Sequence, residues 1–373
     1  MSRRRARALE PIELGAGDGA LSRRLGDAIG DDVVALAQMT SATDYWPRPF
    51  TFKPKGMPDV LLHRGEFVEH THRRQDRLRV PGGFPLPKLA GGTGFASLSD
   101  LISEATSGGK AQSLLFAGKT GSSQATAGIA ETLWNSAGTP GAGANPSALA
   151  GGSEPDNTTV GGLLQSDPGG ADTLHFVTGI GWSSVAPSIL ILYDRIWHGA
   201  VAMNSSSAQT VTISGGPNRY ASTGLGNVIV PEIRTVLPAT AHNNTIEYTD
   251  QDGNTAQSTG AVAGISSGAA SRLDFNTAGT WCFPLASGDT GVKDVTKYTC
   301  SAAVATGQID LVLGHPLAII PCPLAGLPGY VDGINSALNL VQVLTDACLA
   351  LWNIKGAATA SAIYSGQITL VSG

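Results

Sequence analysis

Residues 63–79 hold the densest group of side chains that could do chemistry. On a strand, His70 and His72 would share one face, and two imidazoles so placed could ligate a metal ion. Four of the five arginines in this stretch follow the histidines, at positions Arg73, Arg74, Arg77 and Arg79. Arginines mixed with carboxylates are typical of a charged contact between subunits, so we predict these arginines as contact residues and no bound metal.

A second candidate is the segment LYDRIWHG, which begins at residue 192. On a strand, Tyr193, Arg195 and Trp197 point to one side, while Asp194 and Ile196 point to the other. The first side is then aromatic and cationic, which fits a protein core, a subunit contact or a platform for sugar rings. We predict core or subunit contact, and take the three residues as contact candidates.

The segment FAGKTGSS resembles the end of a phosphate-binding loop at Gly118, Lys119 and Thr120. The full pattern needs a glycine five residues before Gly118, so that backbone amides can surround the phosphate, and Ser113 stands there instead. The sequence therefore does not predict a nucleotide site.

The segment PIELGAGDGALSRRL resembles the first motif of Rossmann-like methyltransferases, with Glu13, Gly15, Gly17 and Gly19 in matching positions. The resemblance implies an S-adenosylmethionine site in a parallel α/β domain, with an acidic residue ending the next strand. Gln38 occupies that position, and prolines then interrupt any alternation of strands and helices. A methyltransferase stays a minor alternative.

Hydrolytic chemistry has no assignable residues at this stage. The isolated histidines have no recognisable nucleophile partner, and carboxylates such as Asp194, Glu232 and Asp274 cannot be paired from their sequence spacing. We therefore predict a protein that is not an enzyme and has no cofactor.

The composition favours a subunit of a larger assembly. Only 14% of the 373 residues are charged, against about 25% in an ordinary soluble domain, and there are 48 Gly and 21 Pro. Surfaces that stay against neighbouring subunits do not need charge for solubility. A β-rich secreted or low-complexity chain is the alternative.

Charge is distributed unevenly. Residues 1–80 hold 14 Lys/Arg and 11 Asp/Glu, and residues 81–373 hold the remaining 10 and 18. A basic N-terminal segment predicts an arm that lies on an acidic partner. Basic residues do not alternate with aromatic ones along it, so nucleic acid is not the predicted partner.

Neither a secretory signal nor a membrane span is predicted, because polar residues interrupt the most apolar late stretch, 334–352. We expect synthesis in a host cytoplasm. No CxxC pair occurs among the four cysteines, Cys282, Cys300, Cys322 and Cys348. We expect free thiols, with a Cys282–Cys300 disulfide as the alternative.

Three regions are predicted along the chain. Residues 1–80 read as an extended, basic, proline-rich arm, because prolines at 47, 49, 54 and 58 oppose both helix and central strand. Residues 81–172 are rich in Gly, Ala, Ser and Pro and read as linker-like, with a brief helix capped at Ser99 and a strand in AQSLLFAGKTG.

The third region, residues 173–373, is predicted to be a β-sandwich or jelly roll. Short segments rich in Val, Ile, Thr and Tyr alternate with turn residues, and Asp252-Gly253 signals a hairpin. A helix is predicted at about 332–351, with Leu340, Val341, Leu344, Cys348 and Leu351 on one face, and the segment SAIYSGQITLV is predicted as a final strand. The fold class is thus mainly β with an arm and a C-terminal helix.

Four segments of this third region resemble structural proteins of tailed-bacteriophage virions. They are ILILYDRIWHGAVAMNSSSAQTV (189–211), YTDQDGNTAQST (248–259), FPLASGDTGVKDVTKYTCSA (283–302) and GQIDLVLGHPLAIIP (307–321). The resemblance covers about half of the chain and implies a mechanical role in a symmetric particle.

What the resemblance implies is a capsid-associated decoration or cement protein, located in the virion. Its expected partners are copies of itself, as a trimer or another closed oligomer, and the major capsid protein or tail proteins of the same particle. A tail, collar or baseplate component is the first alternative, and a receptor- or glycan-binding spike is the second.

Overall fold

The computed structural model describes four short N-terminal strands and the following further residues: 95, 97–170, 172–213, 216–220, 222–334 and 340–373. The chain divides into two compact units, Met1–Pro85 and Leu86–Gly373.

In the first unit the described strands form two antiparallel pairs. Strand β1 (Ile12–Leu14) pairs with β2 (Leu21–Arg23), and β3 (Phe50–Phe52) pairs with β4 (Val60–Leu62). His70 and His72 lie outside the described residues, as do all four predicted contact arginines, Arg73, Arg74, Arg77 and Arg79. Their roles stay predictions.

The second unit contains the one helix among the described residues, α1 (Leu98–Thr106), and fifteen strands. These strands are β5 (Ala111–Thr120), β6 (Ala130–Thr132), β7 (Leu174–Ser183), β8 (Ser188–Val201), β9 (Gln209–Thr210), β10 (Val228–Thr235), β11 (Asn243–Asp250), β12 (Gln257–Ser258), β13 (Val262–Ala263), β14 (Val292–Cys300), β15 (Gln308–Cys322), β16 (Gly329–Asp332), β17 (Val341–Val343), β18 (Leu349–Lys355) and β19 (Ile363–Ser372).

Three antiparallel sheets organise this unit. We call the first the central sheet, with strand order β10-β15-β8-β18-β6. The second, the outer sheet, has the order β16-β7-β19-β5, with β17 also paired to β7. The third, the polar sheet, has the order β12-β11-β14-β9, with β13 also paired to β11.

The central sheet is covered on both faces. Leu190, Leu192 and Ile320 pack with Ile368 and Leu370 of the outer sheet in one hydrophobic core. The opposite face packs against the polar sheet in a second core, which includes Tyr193, Trp352, Leu311, Tyr248 and Tyr298. Burial on both faces explains why β8 and β15 are long and nearly continuous apolar runs rather than alternating ones.

The mainly β fold predicted from the sequence is confirmed, as packed antiparallel sheets. The Asp252-Gly253 hairpin turn is present, with Gly253 at φ +87°, and the final strand is β19.

The helix predicted at 332–351 is wrong. The described part of this stretch holds the end of β16, all of β17 and the start of β18, while residues 335–339 lie outside the described residues. Along β18, Leu349 and Leu351 enter one core, whereas Cys348, Ala350 and Trp352 enter the other. A strand buried on both faces shows no regular alternation of polar and apolar residues, so its apolar residues also satisfy a helical spacing.

The region expected to be linker-like contains α1, β5 and β6. The strand predicted in AQSLLFAGKTG is confirmed as β5, which pairs with β19. The helix begins two residues earlier than expected: Ser97, not Ser99, is the N-cap, and its hydroxyl accepts a hydrogen bond from the Asp100 amide.

Candidate assembly interface

The three contact candidates of β8 lie inside the protein. Tyr193 and Arg195 are 0% exposed and Trp197 is 2% exposed. The Arg195 guanidinium donates to a Glu232 carboxylate oxygen at 2.9 Å, to the Tyr193 hydroxyl at 3.0 Å and to His198 Nδ1 at 3.0 Å. The predicted roles were core and subunit contact, and the structure places all three residues in the core. The reason is that the polar sheet covers the face of β8 to which they belong.

Aromatic rings complete this buried cluster. The Trp352 indole donates to Glu232 at 2.7 Å and stacks on the Tyr193 ring with centroids 3.4 Å apart. The Arg195 guanidinium lies 4.4 Å from the centre of a Trp134 ring. Burial and the charges of Arg195 and Arg234 lower the pKa of His198 to about 2, so its Nδ1 is a neutral acceptor. The cluster is therefore buried away from any partner subunit, although Arg195 Nη2 and Trp134 Nε1 have no hydrogen-bond partner within it.

A G-x-S-x-G spacing, which sequence reasoning missed, occurs at Gly264–Gly268. It lies beside a buried pair in which His242 Nε2 is 2.9 Å from an Asp274 oxygen. Nucleophilic catalysis needs a histidine nitrogen free to accept the serine proton. Here His242 Nδ1 faces the Thr240 carbonyl at 3.0 Å, so both ring nitrogens are already hydrogen-bonded. This site is structural.

The phosphate-loop look-alike is structural too. Lys119 is 2% exposed, and its ammonium donates to the carbonyls of Ser136 and Pro140, both at 2.9 Å. Burial lowers the pKa of Lys119 to about 8.

The larger of two described cavities, about 280 Å³, is open and polar. Its two carboxylates already have partners: Asp172 pairs with Lys110 at 2.9 Å, and Asp167 accepts from the Gly169 amide at 2.8 Å. No group of three or more His, Cys, Asp or Glu residues suited to a metal ion occurs within the described part of the chain.

One surface comes from three of the long segments that contain no Asp, Glu, Lys or Arg. These segments are 173–193, 311–331 and 356–373. Residues 173–193 form β7 and the start of β8. Residues 311–331 form the second half of β15 and most of β16, and residues 356–373 contain all of β19. The topology brings them together, because β7 pairs with both β16 and β19 while β8 pairs with β15.

Hydrogen bonds tie the three segments together at one end of the sheets. The Gly326 amide donates to the Ser183 carbonyl at 2.7 Å, and the Ser184 amide donates to the Ile363 carbonyl at 2.9 Å. Opposite them, the Gly356 amide donates to the Pro187 carbonyl at 2.8 Å. The β7–β8 turn, the β15–β16 loop and the start of β19 are therefore neighbours.

This end of the molecule exposes large apolar side chains. Among the described residues, fifteen large hydrophobic side chains are exposed, and eight belong to these segments: Ile180, Val185, Ile189, Ile319, Leu324, Leu327, Tyr330 and Ile363. Ile189 and Ile319 alternate with Leu190 and Ile320, which face the outer sheet, so these two side chains point away from that sheet. We call the surface formed by the other six residues the apolar end. Tyr330 is the most open, at 72% exposed, and lies directly across from Ile180 in the strand register.

The apolar end continues onto the open face of the outer sheet. Leu115, Gln367, Ile180 and Tyr330 form one row across four strands, because each is paired with the next in register. The adjoining row consists of Ser113, Thr369, Thr178 and Asp332, again paired in register. Asp332 is the one charged residue of the two rows.

The sequence matches no protein-family model and no curated protein. Among solved structures, the chain is similar to "Structure of infectious bursal disease virus Gt strain" at 11% identity and a TM-score of 0.17, over 70% of this chain and 80% of that one. It is also similar to the infectious bursal disease virus VP2 subviral particle at 12% identity and a TM-score of 0.16, over the same shares.

TM-scores of this size do not establish a shared fold. Within the described residues, no helix is both long and apolar enough to span a bilayer.

Sequence reasoning also missed the apolar end. Each of the three segments is a run of at least eighteen residues without a charged side chain, but residues 132–153, 196–218 and 253–271 are equally free of charge, so the runs alone do not single out this surface. Only the strand pairing shows that the three runs meet.

Proposed function

We propose that this protein is a non-enzymatic structural component of a tailed-phage virion, most specifically a capsid-associated decoration or cement protein. The apolar end is the surface by which it binds neighbouring subunits. The low charge of the whole chain and the resemblance of four segments to virion proteins support the same proposal.

The apolar end carries the proposal. The largest apolar patch on a soluble monomer is typically about 300–600 Å² and is often a functional site. Burial of apolar surface contributes about 25 cal/mol per Å², so a half-exposed Leu or Ile adds roughly 1 kcal/mol when a partner covers it. In a particle with many copies, such modest contacts are multiplied by the lattice.

The test introduces one charge at the apolar end. Val185→Asp is expected to leave the fold intact, because the side chain is already 50% exposed, and to abolish incorporation into particles, because a buried unpaired carboxylate is costly. The matched control is Val236→Asp, which is 61% exposed. Val236 follows β10 beside the first residue of β15, whereas the apolar end lies at the last residues of β15, roughly 45 Å further along.

Particles produced with each variant would be purified and their protein content measured. Equal incorporation of the two variants would contradict the proposal. Copy number in wild-type particles separates the finer assignments: a decoration protein is present in hundreds of copies, whereas a tail, collar or baseplate component is present in small multiples of three.

A further inference from the structure

We infer that the apolar end binds the same surface of a second copy of this chain. The inference rests on the proposed function, since it names the partner of the surface proposed there. Three features of the described residues carry it: the absence of charge, the size of the patch and its flat continuation.

Charge discriminates between possible partners. A surface that meets its own copy must be self-complementary, and an uncharged surface avoids the repulsion that like charges would create. A partner with a charged patch would lose hydration without meeting a counter-charge here. Anionic lipid attracts Lys and Arg, and the three segments contain neither.

The rest of the unit contrasts with this end. The polar sheet carries an ion pair between Lys297 and Glu247 at 2.7 Å, with both side chains at least one-third exposed. Asp252, in the β11–β12 turn, and Asp294, on β14, belong to the same sheet region. Water-facing charge is therefore concentrated away from the apolar end.

The size of the patch suits a contact between two copies. Burying a whole aliphatic side chain removes roughly 60–120 Å² of apolar surface, so six side chains that are about half exposed offer about 300 Å². A stable interface buries about 800 Å² per partner, of which somewhat more than half is apolar. The apolar end thus supplies most of the apolar area of one side.

The shape fits as well. The row of Leu115, Gln367, Ile180 and Tyr330 lies on an open sheet face, and two such faces pack about 10 Å apart with their side chains interdigitated. At the middle of the row, the Gln367 amide donates to Ser113 at 3.0 Å and remains able to accept from a partner. An amide is complementary to its own symmetry copy.

Sedimentation velocity of the full-length chain over a wide concentration range tests the inference. The wild type is expected to self-associate reversibly. Val185→Asp and Leu327→Asp are expected to weaken the association roughly a hundredfold, because each buries a carboxylate in an apolar contact. Val236→Asp is expected to associate as the wild type does.

A cross-linking experiment reports which surfaces meet. Val185→Cys is expected to form a disulfide-linked dimer on mild oxidation, whereas Val236→Cys and the wild type are expected not to. The native thiols provide a low background, since Cys300, Cys322 and Cys348 are buried and Cys282 is only partly exposed.

The outcomes separate this inference from the proposed function. The inference is overturned if the wild-type chain stays monomeric and no cross-link forms at position 185. If Val185→Asp nevertheless fails to join particles, the proposed function survives and the apolar end binds a different partner. Flotation of the wild type, but not of Val185→Asp, with phosphatidylcholine vesicles would assign the surface to lipid and also overturn it. Loss of self-association with normal particle incorporation would overturn the proposed function alone.

Discussion

Arg195 and Glu232 form an ion pair that is 0% exposed on both sides. Hydrogen bonds offset part of the cost of burying two charges: Tyr193 and Trp352 donate to Glu232, and Tyr193 accepts from Arg195, while Arg195 Nη2 has no partner. The sequence indicated an aromatic and cationic face on β8. It could not indicate Glu232, which lies 37 residues away and reaches Arg195 only because β15 pairs with both β8 and β10.

Removing the Glu232 charge is expected to be strongly destabilising. Glu232→Gln removes the carboxylate that is hydrogen-bonded to the buried Arg195 guanidinium, and breaking a buried ion pair in this way costs about 3–5 kcal/mol of unfolding free energy. Glu247→Gln is the matched control, because Glu247 also pairs with a cation on a strand but is one-third exposed, and such pairs contribute under about 1 kcal/mol. Urea unfolding measures both variants, and similar losses would contradict the assignment of the cluster to the core.

His242 is expected to make stability depend on pH. Burial opposes the charged ring, but the hydrogen bond and charge of Asp274 outweigh it, so the pKa of His242 is raised above 6.5. The stabilisation is therefore complete below pH 6.5 and is lost as pH rises through the raised pKa. Urea unfolding over that range should show this decline in the wild type and lack it in His242→Gln. The same decline in both proteins would show that another group titrates.

Strands and helices differed in how well their sequences specified them. Segments such as NTIEYTD, with alternating polar and apolar residues, predicted β11 because only one of its faces is buried. The stretch around Leu349–Lys355 misled because both faces of β18 are buried, so no alternation is left to distinguish a strand from a helix. In β5, the residues were recognised as a strand, but the pairing with β19, some 250 residues later, carried no local signal.

At Gly366, β19 lies so close to its neighbours that no side chain larger than that of glycine is expected to fit. A Cβ there would collide with the Ile180 carbonyl and the Phe116 ring, so Gly366→Ala should cost about 1–3 kcal/mol. Gly141→Ala, where a Cβ meets nothing within 4 Å, is the control and should change stability by less than about 0.5 kcal/mol. Thermal or urea unfolding decides, and a tolerated Gly366→Ala would contradict the register of the outer sheet.

The whole molecule separates charge from apolar surface. Its low charge was evident from composition, and this predicted buried contacts with neighbours, but composition does not say where they are. The strand topology gathers three of the long charge-free segments at one end, and the polar sheet carries ionic side chains elsewhere. The candidate site could therefore be anticipated in kind and not in position.

The N-terminal region gives a prediction at the same scale. Removing residues 1–80 is expected to leave a folded β-rich protein, because the second unit, Leu86–Gly373, contains all three large sheets. The truncated protein should no longer join particles if this region is an arm that lies on neighbouring subunits. Circular dichroism checks the fold and particle purification checks incorporation; normal incorporation would refute the arm.

Hydrogen–deuterium exchange, compared between the isolated chain and assembled particles, tests the central claim most directly. Assembly is predicted to slow exchange in the β7–β8 turn (residues 184–187) and the β15–β16 loop (residues 323–328), while the β11–β12 turn of the polar sheet exchanges as before. Protection of the polar sheet with unchanged exchange at the apolar end would contradict the account.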